Sequence, residues 1–394
     1  MLEYGDVWAE ISLDNLRYNL DVIRKTIGSN NGVMAIVKAG AYGHGLVEVA
    51  QYLSKHEICS FGVASVSEGI ELVKNGITLP IIVLKSVPSK QLDLLLENGL
   101  IPSISCISQA EEVDVYGKSN KKIFKIHVRV DTGGDGDGIP YEDCPQLLKE
   151  IARMKYIDIN GIYTHLSSAY SNDTGALEGQ LSSFRWVLDF AGKNNINIPI
   201  VHAANSPSIF SCPQSHFNMV RAGTALYGLP FSKQHMVQEL KAVMQLKSRV
   251  VCIKDFKEGY SLDYGIKYKI TKPIKIATIS IGYADANFLL GAKNLKVLIK
   301  GEYAPIYGNA HMDYIKVDIT NMKDINEGDE VVIFGNSGTK SINAVDTAEA
   351  SGISVINCES VCFLGERVNF VFKEKGEVVK IKGNHQLTPF SDAG

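Results

Sequence analysis

From residue 33 to about residue 228, short β-branched runs alternate regularly with amphipathic helical stretches, and this pattern limits the chain to few folds. It produces parallel strands joined by right-handed crossovers, because the chain must pass through a helix before re-entering the sheet in the same direction. Strands are expected at 33–38, 61–64, 81–85, 101–104, 124–131, 157–165, 198–202 and 218–221. Helices are expected at 46–55, 66–75 and 179–193, with an apolar face over 67–74. About eight such strands close an α/β barrel of the TIM-like (β/α)8 type.

After about residue 231 the pattern changes. The segments 246–254, 274–281, 296–299, 304–306, 315–319 and 330–334 read as strands with short, turn-rich connections. The expectation is therefore a barrel over 1–235 followed by a C-terminal all-β domain over 236–394, a division that suits a chain too long for one ordinary domain.

The chain carries 40 basic and 43 acidic residues, a net charge of -3, which gives no field to collect nucleic acid or an anionic membrane. The first residues lack a basic segment followed by an apolar one, and no apolar run approaches the roughly 20 residues that span a bilayer. A cytoplasmic protein is expected, with small molecules and other subunits as partners. The seven cysteines are scattered with no Cys-x-x-Cys pair, so neither a zinc site nor a disulfide framework is indicated.

Function in such barrels gathers at the carboxyl ends of the strands. There the sequence places Lys38, Arg129, Asp131, His165, His202 and Arg221. Lys38 is followed by Gly40, Gly43 and Gly45, which let the backbone turn sharply and approach a ligand. Its amine is suited to condense with an aldehyde cofactor once its pKa falls. Two later segments suit an anion: Ala204-Asn205-Ser206 and the run from Arg221 to Gly228, with Ser206, Gly223 and Thr224 as donors.

Seven motifs, in order over nearly the whole chain, resemble those of the alanine racemase family. They are Ile36-Val37-Lys38-Ala39-Gly40-Ala41-Tyr42-Gly43-His44-Gly45, Thr164-His165-Leu166, Ala204-Asn205-Ser206, Met219 through Gly228, Tyr264 through Tyr268, Ile281 through Asp285, and His311-Met312-Asp313. The resemblance implies a pyridoxal 5'-phosphate enzyme acting on an amino acid, built as a homodimer with shared active sites. Lys38 is then the Schiff-base lysine and one base, and Tyr264, from the partner subunit, is the opposing base. Two bases are needed because racemisation removes a proton from one face of the α-carbon and delivers one to the other.

By the same resemblance His165 hydrogen-bonds Tyr264, and Arg221 faces the ring nitrogen of the cofactor without yielding a proton. Tyr42, Ser206, Gly223, Thr224 and Cys358 match positions at the phosphate. Tyr283 narrows the substrate entrance, with His311 and Met312 nearby.

The sequence departs from the family at the substrate end. Arg129 stands where many members carry a carbamylated lysine, and Gly136 where an arginine pairs with the substrate carboxylate. Cys358 replaces a tyrosine, and His311 adds a titratable group. These changes favour an altered or broadened substrate, an amino acid bulkier than alanine, with a cationic one among the options because Asp135 and Asp137 are placed to attract an ammonium. The rival readings are a pyridoxal-phosphate decarboxylase, against which Tyr264 speaks, and a non-catalytic cofactor-binding regulator, against which the retention of both bases speaks.

Overall fold

The computed structural model describes residues 4–134, 136–171, 173–231, 239–262, 268–292, 294–354 and 362–383. The chain divides into two compact units. One comprises residues 17–226 and 234–240; the other comprises 1–16, 227–233 and 241–394.

The first unit is the barrel. Gly32–Ile36, Ser60–Val63, Ile81–Ser86, Ile101–Ile104, Phe124–Asp131, Ile157–Thr164, Ile200–His202 and Met219–Ala222 run in parallel in that spatial order. The last strand returns to pair with the first, with Arg221 opposite Met34. Closure is nearly complete. Between Ile200–His202 and Met219–Ala222 the ladder is replaced by Asn218, whose side chain accepts from Val201 N at 2.9 Å and donates to Pro199 O at 2.8 Å.

Most of the strands form because they supply runs of buried apolar side chains. Met34, Ile36, Ile82, Ile101 and Met219, from four strands, make one core cluster. Above this layer the interior turns polar. Ser103 Oγ lies 2.9 Å from Tyr163 Oη, and the His127 and His202 rings lie 2.9 Å apart, each pair reaching across an intervening strand. Side chains bonded across a neighbouring strand must face inward, so these positions form a buried polar layer of the barrel.

The second unit is mostly β, with a short helix at Ala344–Ala350. Its largest sheet is built on Met244–Phe256, flanked antiparallel by Glu330–Ser337 and Ile274–Ile279. The start of the chain belongs here and not to the barrel, which differs from the division expected at residue 235. Val7–Ser12 pairs antiparallel with Met244–Phe256 and parallel with Asn369–Glu374. Glu10 fixes that placement, since its buried carboxylate meets Lys247 at 3.1 Å, Lys373 at 2.8 Å and Trp8 Nε1 at 3.1 Å. Among the described residues no helix is long and apolar enough to cross a membrane.

Candidate active site

Lys38 follows the first barrel strand, and there the backbone changes hand. Ala39, Gly40, Ala41, Tyr42 and Gly43 have φ of 53, 65, 57, 54 and 78°, one left-handed turn. For each non-glycine residue that geometry costs about 1–2 kcal/mol. Hydrogen bonds hold it: Ala41 N donates to Val37 O at 2.8 Å, Gly43 N to Ala39 O at 3.0 Å and Gly45 N to Gly40 O at 2.9 Å. The glycines singled out in the sequence serve the turn, but three ordinary residues share its strain. His44 closes it, donating from Nδ1 to Tyr42 O at 2.8 Å, and burial pushes its pKa down to about 4.

Arg221, 5% exposed, lies one residue before the end of Met219–Ala222, the strand paired with Gly32–Ile36, which Lys38 follows. Its Nη1 donates to His202 Nδ1 and His202 O, both at 3.1 Å, and its Nη2 to Thr164 O at 2.8 Å and Ala203 O at 3.1 Å. A guanidinium only donates, so His202 Nδ1 must accept, and the ring proton on Nε2 points to His127 Nδ1. Burial, then the nearby Arg221 charge, holds His202 well below its ordinary pKa. Burial also brings His127 to about 4. Tyr163 stacks flat on His202, with centroids 4.7 Å apart, and its ring lies 5.3 Å from the Arg221 guanidinium. Gly161 leaves room for the His127 ring, because a Cβ there would lie 2.6 Å from it. His165 follows Thr164 at the same barrel end, half-buried.

Tyr42, Ser206, Gly223 and Thr224 lie together at the turn after Met219–Ala222. Ser206 Oγ accepts from Gly223 N at 3.0 Å and from Ala225 N at 3.2 Å. A Cβ on Gly223 would lie 2.8 Å from Tyr42 Oη, so the glycine lets that hydroxyl close over the turn. Thr224 Oγ1 is buried with no hydrogen-bond partner among the described residues. Such a hydroxyl is costly unless a ligand satisfies it. The cup therefore fits a phosphate, and with Lys38 on one neighbouring strand and a permanent cation on the other it fits pyridoxal phosphate.

At the substrate end, Arg129 is 12% exposed at its side chain, and Nη1 donates to Leu84 O at 3.0 Å and to Asp137 in an ion pair. Asp137 is thus engaged by Arg129, which alters its expected role as an attractor of ammonium. Asp135 lies outside the described residues. Gly136 has φ of 67°, and a Cβ there would meet nothing within 4 Å.

In the other unit, Tyr283 N donates to His311 O at 3.0 Å and Ala284 N to Met312 O at 3.1 Å, so two motifs far apart in sequence form one backbone ladder. Lys316 Nζ lies 3.2 Å from His311 Nε2. Met312 is exposed. Sequence reasoning missed Arg367, whose Nε donates to buried Asp285 at 2.9 Å and whose Nη1 donates to Asp313 at 2.7 Å, joining the last residues of both motifs. The signal was two aspartates ending two motifs without an assigned cation. Tyr264 and Cys358 lie outside the described residues.

Comparison with known proteins agrees with this geometry. The family profile described as alanine racemase, N-terminal domain, matches residues 11–230, and that described as alanine racemase, C-terminal domain, matches 243–372. Alanine racemase 1 of Clostridium acetobutylicum is 37% identical over 379 residues, covering 95% of this chain and 97% of the relative. The alanine racemase of Methanococcus maripaludis is 36% identical over 369 residues, covering 93% and 98%. Among solved structures, alanine racemase of Clostridium difficile 630 superposes with a TM-score of 0.92 at 36% identity, covering 98% of this chain and all of that one.

Proposed function

This chain belongs to the alanine racemase family, and on that premise we propose that it racemises a free α-amino acid with two bases, Lys38 and the partner subunit's Tyr264, in a cytoplasmic homodimer. The enzyme is an amino-acid racemase dependent on pyridoxal 5'-phosphate. The observation that supports the site assignment is the placement of Lys38 and Arg221 at the ends of paired strands, above a cup of Tyr42, Ser206, Gly223 and Thr224 with a buried hydroxyl to satisfy.

Bound at Lys38, pyridoxal phosphate supplies the conjugation that makes an amino acid's α-hydrogen acidic. The Lys38 amine removes or returns the proton on one face, and Tyr264, hydrogen-bonded by His165, does so on the other. Arg221 presents donors that stay donors at neutral pH, so it offers the ring nitrogen no proton. Tyr42, Ser206, Gly223 and Thr224 hold the phosphate at the turn that follows Arg221. By the family resemblance, Arg129 is assigned to the substrate end of the barrel, His311 and Met312 to substrate contacts, and Tyr283 to the substrate entrance. Cys358 is assigned, by the same resemblance, to the phosphate in place of a larger ring. The reading of a side chain larger than methyl rests on the glycine at 136, where the family carries an arginine, while the pairing of Asp137 with Arg129 removes the main support for a cationic one.

The test is α-proton exchange in deuterated water over a panel of L- and D-amino acids, followed by chiral analysis. Exchange with inversion is expected. Lys38→Ala should lose both exchange and borohydride-fixed cofactor. Tyr264→Phe should keep the cofactor and lose about 10²–10⁴ in racemisation. Exchange without inversion in the wild type would refute the two-base reading.

A further inference from the structure

Helix Val66–Lys74 opens on a capping box: Ser65 Oγ accepts from Glu68 N at 3.3 Å, and Glu68 Oε2 accepts from Ser65 N at 3.1 Å. Such a box uses one carboxylate oxygen. In this chain Oε2 also takes Ala64 N at 2.9 Å, and Oε1 leaves the helix to accept from Ala39 N at 2.6 Å. Ala39 directly follows Lys38 and is the first residue of the left-handed turn.

We propose that Glu68 is a positioning residue for Lys38: by holding the N–H of Ala39 it fixes the left-handed turn that directs the Lys38 side chain, and it ties that turn to a neighbouring helix cap. The inference rests on the reading of Lys38 as the cofactor lysine.

The fold makes the reach short. Gly32–Ile36 pairs with Ser60–Val63, Ile36 opposite Gly62, and Val37 N donates to Gly62 O at 2.9 Å, so the two outgoing turns leave the barrel side by side. The later hydrogen bonds of the turn begin at Ala41 N, so the peptide joining Lys38 to Ala39 is held through its N–H by Glu68. The helix beneath is firmly seated, because Gly69 lies so close to Leu100 that a Cβ would come within 2.8 Å of its Cδ1. Both carboxylate oxygens face N–H donors. A glutamine offers one acceptor and turns an NH₂ towards the other donors, so it keeps the cap or the Ala39 contact but not both.

The experiment compares Glu68→Gln with Ser65→Ala, which breaks the same capping box without touching Ala39. Each variant is stripped of cofactor and titrated with pyridoxal phosphate, read by visible absorbance, its pH midpoint, and borohydride labelling mapped to Lys38. Both should lose similar thermal stability. Glu68→Gln should need at least tenfold more cofactor for half-saturation and shift the pH midpoint, Ser65→Ala should stay within twofold, and Glu68→Asp should fall between. Should Glu68→Gln not fold, Glu68→Asp carries the same comparison. Cofactor binding in the glutamate variants within twofold of wild type, at an unchanged midpoint, would overturn the proposal. A wild type without label at Lys38 would instead refute the cofactor-lysine reading, and this inference with it.

Discussion

Arg221 and Arg129 both stand near the carboxyl end of the barrel, and both lie within 6 Å of the Tyr163 ring. Arg221 donates to backbone carbonyls of three residues and to a histidine whose own proton is directed onward, so its position is set by groups that cannot move without the strands. Arg129 is held by one backbone carbonyl and by Asp137, a half-exposed carboxylate in a glycine-rich loop. The cofactor end is thus built from backbone and buried rings, and the substrate end from an ion pair on a loop. A scaffold made this way keeps its cofactor chemistry while the substrate end is free to vary.

The largest expected effect breaks the better-held end. Arg221→Ala leaves the acceptors at Thr164, His202 and Ala203 buried without their donor, which costs roughly 3 kcal/mol or more. Chemical denaturation should show this loss, and Arg221→Lys should recover part of it. Arg129→Ala should cost about 1 kcal/mol, because water reaches its partner Asp137. Equal losses at the two arginines would remove the contrast.

Acid should strike the same end. His44 and His127 have folded pKa values lowered to about 4 by burial, against an ordinary 6.5. Between these values the unfolded chain binds the proton and the folded chain does not. Stability is therefore full above pH 6.5, falls as the pH drops towards 4, and is level below, by roughly 3 kcal/mol for each residue. Thermal melts from pH 7.5 to 4 should show the slope, and His127→Gln should flatten it. A flat profile in the wild type would contradict the neutral, buried rings.

The two ends also differed in how far the sequence disclosed them. The strands at 101–104 and 124–131 were legible to the residue, because β-branched runs bounded by turns carry their own signal. The placement of Lys38, Arg221, Ser206 and Thr224 at one end of the barrel was legible because strand ends and glycine turns are local patterns. Val7–Ser12 was not, since nothing within six residues says which distant strands will take them as a partner. Glu68 was half legible: the Ser65 to Glu68 spacing announces a helix cap, but the reach to Ala39 depends on which strands are adjacent. Asp137 shows the same limit from the other side. A carboxylate in a sequence has a sign but no partner, and the partner, Arg129, decides what that charge does.

Substrate binding sharpens the comparison further. Arg129→Ala and Asp137→Asn should raise KM for amino acids by about 10–100-fold, the worth of one charged contact. Cofactor affinity should stay within twofold, because the cup is tied by Gly223 N and Ala225 N to Ser206 Oγ, whereas Arg129 donates to Leu84 O and Asp137. Titration with pyridoxal phosphate and steady-state kinetics on the same preparations would check this. A parallel loss of cofactor would mean that the two ends are one unit.

The smallest effect isolates the loop backbone. Gly136 has φ of 67°, where an alanine is strained whatever the space around it, and a Cβ there meets nothing within 4 Å. Gly136→Ala should therefore cost about 1 kcal/mol of stability through the backbone alone. Its kinetic effect depends on what fills that space. If substrate side chains do, kcat/KM should fall severalfold for the bulkier amino acids of the panel and stay within twofold for alanine. A uniform change across side-chain sizes would mean that the space beside Gly136 belongs to solvent, and that the altered loop does not set the substrate.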